Sequence, residues 1–301
     1  MDLRQLDALL AVAEHGTFSA AALALHTVQS NVSTHIAKLE DELGTVLVDR
    51  ASRALTPEGE VVASRARVVR SELDGIGPQL AGIRQEVSGN VVIGVIGSAA
   101  GWLAHRLGRA TLDTHPGVTL TIIEASTAQL RPRLARHELD LALVNLPVDD
   151  RDITTEKLFT ENVVVATLPD HPLAALDVIS PEDLAAHPLL LPARGTAFRT
   201  ELDADLARVG LALHGRIEVD GVRLLTEMAA AGLGPALVPA SAAHADDPLV
   251  IVPVEGLLMR SVGLARPRNV AASAATRAVV ELLADLVADE GPAQEGIHPG
   301  S

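Results

Sequence analysis

Thr17 to Gly59 reads TFSAAALALHTVQSNVSTHIAKLEDELGTVLVDRASRALTPEG, and its punctuation decides the local architecture. A helix precedes it over Leu3–Ala13, with Leu6, Leu9, Leu10 and Ala13 on one face, and Gly16 ends that helix. Thr17 or Ser19 can accept from the free amides of a second helix, Ala20–Leu25, kept thin by Ala21, Ala22 and Ala24. After a turn at His26, Thr27 can cap a third helix that runs to about Leu43, where Gly44 stops it. Val32, Ile36, Leu39 and Leu43 form its buried stripe. The opposite face presents Gln29, Ser30, Asn31, Ser33, Thr34, His35 and Lys38. Short polar groups near a helix start suit base edges in a major groove. Val46–Val48 and Ala54–Leu55 can make a two-stranded wing that brings Arg50 and Arg53 to phosphates. Read on spacing alone, the same trihelix could also be a plain packing unit.

The combined pattern resembles the LysR-type transcriptional regulators. It consists of Phe18, Ala21-Ala22, Leu25-His26, Gln29, Ser33, Ile36, Leu39-Glu40, Leu43-Gly44, Leu47, Arg50, Leu55-Thr56 and Gly59. The likeness implies a winged helix-turn-helix over residues 1–58, with Gln29, Ser30, Asn31, Ser33, Thr34 and His35 over bases and Lys38, Arg50 and Arg53 at phosphates. Two positions depart from it. Thr34 stands where members often carry Arg and cannot make a bidentate guanine contact, and Val48 stands where Phe is common.

Composition narrows the alternatives. The 301 residues suffice for two or three domains. With no cysteine, disulfide and thiol chemistry are excluded. The first residues lack the basic region of an export signal and no long apolar run occurs, so a cytoplasmic protein is expected. The net charge of −15 argues against nucleic acid. Residues 1–57 are themselves net −3, with four basic against seven acidic side chains. The acids cluster at the far end of the third helix, so specificity must come from a local patch and from paired copies. One Trp, three Phe and no Tyr leave little for base stacking.

Thr56-Pro57-Glu58 opens a further helix. Val62, Ala66, Val69, Leu73, Ile76, Leu80 and Ile83 follow at alternating spacings of four and three, a seam for pairing two helices or for packing on the chain's own domain. The LysR-type resemblance favours pairing, in a dimer or tetramer. Pro78 should kink or split this linker of residues 59–89, and Ser88-Gly89-Asn90 reads as a hinge.

From Asn90 onward, apolar strands alternate with helices, which predicts α/β lobes with largely parallel sheets. His115-Pro116, Leu139 to Leu143, His171-Pro172, Ala231 to Gly234 and Leu237-Val238-Pro239 resemble the family's effector-binding domain, similar to type 2 periplasmic binding proteins. The implied lobes are 90–162 with 267–290, and 163–266. The crossovers are expected near 162 and 266, and a disordered tail over 291–301. Helix starts at the cleft would offer Ser98, Thr127 and Thr196 to a carboxylate or other anion, with Asn145 and Val222 beside them. Each hydroxyl alone could be only a cap. Arg199 could be a counter-charge, but a surface position is favoured. The expected partners are promoter DNA, a small effector, further copies of the chain and RNA polymerase, with no cofactor and no metal. A solute-binding protein would need an export signal, and an enzyme would need a catalytic constellation; neither is present.

Overall fold

The computed structural model describes residues 1–82, 87–208, 210–213, 215–243, 248–268 and 270–300, with side chains outside 77–82. Three helices open the chain: α1 (Leu3–His15), α2 (Phe18–Ala24) and α3 (Gln29–Leu43). Asp2 and Gln5 form a capping box at α1, and Thr17 accepts from the Ala20 amide at α2. The expected Thr27 cap does not form. Val28 is the N-cap of α3, and the Thr27 hydroxyl accepts from the side-chain amide nitrogen Nδ2 of Asn31 at 3.0 Å. Leu9, Ala21, Val32, Ile36 and Leu39 are buried together, so truncating any of the large ones costs about 2–5 kcal/mol.

Strands β1 (Val48–Asp49) and β2 (Ala54–Leu55) make the wing. Glu40 ties it to α3, accepting from the amides of Leu47 at 2.8 Å and Val48 at 3.2 Å. Gly59 lies against the same segment: a Cβ there would stand 2.0 Å from the Leu47 carbonyl oxygen.

Helix α4 (Pro57–Gly82) continues past Pro78 without being split, contrary to the sequence expectation. Its Ala63 and Ala66 pack into the three-helix core, while Val69, Leu73 and Ile76 stay 40%, 38% and 53% exposed. The side chains of Leu80 and Ile83 lie outside the described residues. Ser88-Gly89-Asn90 is not a free hinge but the start of strand β3 (Ser88–Val95), paired in parallel with β4 (Gly117–Glu124). Between them, α5 (Gly97–Ala99), a π turn over Ala100–Ala104 and α6 (His105–Thr114) follow one another.

Helix α7 (Thr127–Ala135) leads to β5 (Leu141–Leu146) and β6 (Ile153–Glu161). The chain then crosses to the second lobe: β7 (Val163–Thr167), α8 (Pro181–Ala186), β8 (Leu189–Pro192), α9 (Ala197–Arg208), β9 (Gly215–Val219), α10 (Val222–Ala230), β10 (Ala236–Pro239) and β11 (Val250–Pro253). It returns with β12 (Arg260–Pro267), α11 (Ala274–Glu290) and β13 (Ile297–Pro299).

The first lobe's sheet has the order β13-β6-β12-β5-β3-β4 and the second β11-β7-β10-β8-β9. Three expectations change here. Both sheets are mixed, because β6, β12 and β13 run antiparallel to their neighbours, as does β7 to β10 and β11. The return crossover precedes Arg260, since the whole of β12 belongs to the first lobe. Finally, residues 291–299 are not a disordered tail: Gly291–Ala293 form a short turn of helix, and β13 pairs along β6.

Candidate functional site

Two sites emerge, one on the N-terminal helices and wing and one between the lobes. In the first, Gln29 and Ser33 from the start of α3, Arg50 and Arg53 from the wing, and Thr17, Phe18 and Ser19 from the start of α2 line one concavity of about 400 Å³. The α2 residues were not anticipated, although the Thr17 cap that starts the helix was the available signal. Gln29 is oriented by the Ser19 hydroxyl, which donates to its Oε1 at 3.3 Å. That leaves the amide nitrogen of Gln29 to face outward.

The other predicted residues flank this concavity. Ser30, Asn31, Thr34 and Lys38 are exposed, and Ser33 and His35 are half-buried. The Thr34 hydroxyl donates to the Ser30 carbonyl at 2.7 Å, so its methyl is the part left for a partner. His35 lies close enough to Asp2 to contribute to lowering that carboxyl below its ordinary value, behind the main cause, the hydrogen bond from the Gln5 amide. The wing turn is held by Asp49, which accepts from the Ala51 amide at 2.9 Å and the Ser52 hydroxyl at 2.7 Å. The Ser52 hydroxyl bond is the largest cause of its lowered pKa.

The second site is a cleft of about 510 Å³ between the lobes. All five predicted residues line it: Ser98, Thr127 and Asn145 from the first lobe, Thr196 and Val222 from the second. Their hydroxyls are partly committed. Thr127 Oγ1 accepts from the Asn145 amide at 3.0 Å, and Thr196 donates to the Ala193 carbonyl at 2.8 Å while capping Arg199. Asn145 Oδ1 is buried and, among the described residues, has no hydrogen-bond partner. At α10, Gly221 is the N-cap and no side chain caps the helix.

Arg199 is neither a surface residue nor a cleft cation. It is 2% exposed and bonds Asp203, Glu218 and the carbonyls of Pro192 and Leu213, tying α9 to its own lobe. The cleft cation is Arg260, which sequence reasoning missed; a lone Arg after Leu257-Leu258-Met259 was the only hint. Its guanidinium lies 4.6 Å from the Phe198 ring centre and bonds Glu201 and Glu161, each at 3.2 Å. Glu161 is fully buried where β6 leaves the first lobe. Burial pushes its carboxyl up, opposed by Arg260 and by Ser241, whose amide donates to it at 2.9 Å.

Helix α7 spans from this cleft to the linker. Thr127 is at one end; at the other, Arg67 of α4 donates to the Arg136 carbonyl at 3.1 Å and pairs with Glu138 at 3.7 Å. Arg136 in turn faces Glu60 at 3.8 Å. His137 is held below its ordinary pKa by burial, then by Arg65 and Arg67.

Among the described residues there is no cluster of metal-ligating side chains, and no helix is long and apolar enough to cross a membrane. Residues 3–60 match the model of the bacterial regulatory helix-turn-helix protein, lysR family, and residues 84–288 that of the LysR substrate binding domain. The Escherichia coli K12 DNA-binding transcriptional dual regulator OxyR is 31% identical over 244 residues, 80% of each chain. A probable hydrogen peroxide-inducible genes activator from Mycobacterium avium is 32% identical over 268 residues, 87% of this chain and 82% of that one. Full-length Pseudomonas aeruginosa OxyR, solved as a variant, superposes with a TM-score of 0.73 at 30% identity, covering 95% of this chain and 94% of that one. Full-length BenM gives 0.57 at 28% identity, covering 97% and 98%. Both matched domains are regulatory rather than catalytic, and together they span most of the sequence. The chain belongs to the LysR family of DNA-binding transcriptional regulators, with an effector-binding domain that modulates its activity.

Proposed function

We propose that paired copies of this regulator bind an interrupted inverted repeat in promoter DNA. Gln29, Ser30, Asn31, Ser33, Thr34 and His35 face bases, and Lys38, Arg50 and Arg53 meet phosphates. The observation that carries this reading is the single concavity shared by Gln29, Ser33, Arg50 and Arg53, which matches a recognition helix flanked by phosphate contacts. Pairing, as a dimer or as a tetramer built from two dimers, uses the apolar stripe Val69, Leu73 and Ile76 left exposed on α4.

A small effector with an anionic group occupies the cleft, supported by the uncapped start of α10 and by Arg260. Thiol oxidation is not open to this chain, which has no cysteine. The reading instead is reversible binding of that effector in the cleft. Occupancy of the cleft reaches the DNA-binding domain through α7 and its contacts with Arg67 and Glu60, changing how the paired helices present themselves to DNA and to RNA polymerase.

A gel shift on the DNA upstream of the protein's own gene tests this. Gln29→Ala and Ser33→Ala should each weaken a specific shift while leaving the oligomer intact. Unchanged affinity in both would remove the base-contact assignment.

A further inference from the structure

We propose that the effector is zwitterionic: beside its anionic group it carries a cationic nitrogen, seated between Glu124 and Asp220. This rests on the reading of the cleft as the effector site. Glu124 ends β4 in the first lobe and Asp220 follows β9 in the second, so the two carboxylates line one cleft from opposite lobes. Both are exposed, and among the described residues neither has an ion-pair or hydrogen-bond partner.

The position of Glu124 matters further. Its Oε1 lies 3.2 Å from where a Cβ on Gly97 would stand, so the carboxylate sits over the start of α5. That is where an incoming anion would otherwise use the first lobe's free amides, and the chain's own acid occupies it. The lining cation, Arg260, already answers to Glu161 and Glu201. A second negative group on the ligand would therefore meet repulsion in the first lobe. A purely anionic ligand would also leave both cleft carboxylates uncompensated, and wherever it excluded water from between the lobes their repulsion would be strengthened. A cation placed between them converts that repulsion into two attractions. Half-buried Asn145 also lines the cleft, and among the described residues its Oδ1 has no hydrogen-bond partner, an acceptor suited to an N–H donor.

The test compares the twenty L-amino acids and γ-aminobutyrate with their deaminated counterparts, among them succinate, glutarate and butyrate. Thermal shift and calorimetry on the full-length protein at low salt are the readouts. At least one amine-bearing acid should bind saturably, at least about tenfold more tightly than its deaminated analogue, and Glu124→Gln should cost at least about tenfold. A deaminated acid that binds as well, or that binds better to Glu124→Gln, overturns the proposal. So does Mg²⁺ or Ca²⁺ alone reproducing the stabilisation.

A ligand-free arm covers the case in which neither set binds. The Glu124→Gln/Asp220→Asn protein should melt higher and scatter as a more closed particle than the parent, and no change in either overturns the repulsion argument. Hydrogen exchange separates the two readings. Protection of 124–127 and 219–223 by an amine-bearing acid supports both. Protection only at the α4 junction removes the cleft reading, and with it this assignment. Protection of the cleft by a deaminated acid keeps the cleft and removes the cationic group.

Discussion

Arg53 holds two opposed properties in one side chain, and Arg53→Gly separates them. It lies in the wing turn at φ +60°, its amide donating to the Asp49 carbonyl at 2.8 Å, and among the described residues its exposed guanidinium has no ion-pair partner. The left-handed backbone costs a non-glycine residue about 1–2 kcal/mol. Glycine removes that cost but loses about 0.5–1 kcal/mol through the greater freedom of the unfolded chain. Folding stability should thus stay level or rise by up to about 1.5 kcal/mol, whereas Arg53→Ala keeps the strain and gains nothing. Binding should move the other way. Each phosphate contact contributes about 0.9 to the slope of log affinity against log salt, which is ~3.5-fold of affinity between about 50 and about 200 mM salt for each copy engaged. Fluorescence anisotropy on the operator across that range should give a shallower slope for both variants, with chemical denaturation supplying stability. A parental slope in Arg53→Gly would refute the phosphate contact, and a stability loss above about 1 kcal/mol would refute the account of the turn.

Three other outcomes follow from the geometry. Gly59→Ala drives a methyl into the Leu47 carbonyl and should lower stability by about 3 kcal/mol or more, visible as a lower Tm and loss of the gel shift together. Arg67→Ala and Glu138→Ala, combined in a double-mutant cycle, should couple by about 0.5–1 kcal/mol, since the pair is only partly shielded from water; additive losses would mean that the pair does not join α4 to the lobe. His137 has a folded pKa lowered from 6.5, so the folded state binds fewer protons than the unfolded one and its stability is lost as pH falls through that value. His137→Asn tolerates the φ of +55° there and should flatten the fall in Tm between pH 7 and pH 5.5; an unchanged slope would assign the acid sensitivity elsewhere.

The parts legible in the sequence were those set by local chemistry. Gly16, Thr17, Gly44 and Pro57 punctuate the first four helices, and each acts within one turn of its own position. The cleft hydroxyls were legible for the same reason, because a helix start after a buried strand has a recognisable pattern. What was missed depends on distant partners. β6 reads ITTEKLFTE, polar through its middle with only Ile153, Phe159 and Glu161 buried, so it carries no apolar run. Its place as an inner strand is set by β12, more than a hundred residues later. The burial of Arg199 is likewise set by Glu218 and by the carbonyls of Pro192 and Leu213, which no spacing around Arg199 announces.

The pairing of β13 with β6 bears on how this regulator can be trimmed or tagged. Ile297 and His298 lie opposite Glu161 and Thr160, and the Gly296 carbonyl accepts from the Asn162 amide, where the chain leaves the first lobe. A version ended at Glu290 would strip the outer partner from β6 and leave a bare strand edge, open to pairing with another molecule. It would also unfasten one side of the crossing between the lobes. A purification tag joined directly after Ser301 would pull on the same suture. Measurements of lobe motion or effector response are therefore best made with residues 291–299 kept in place.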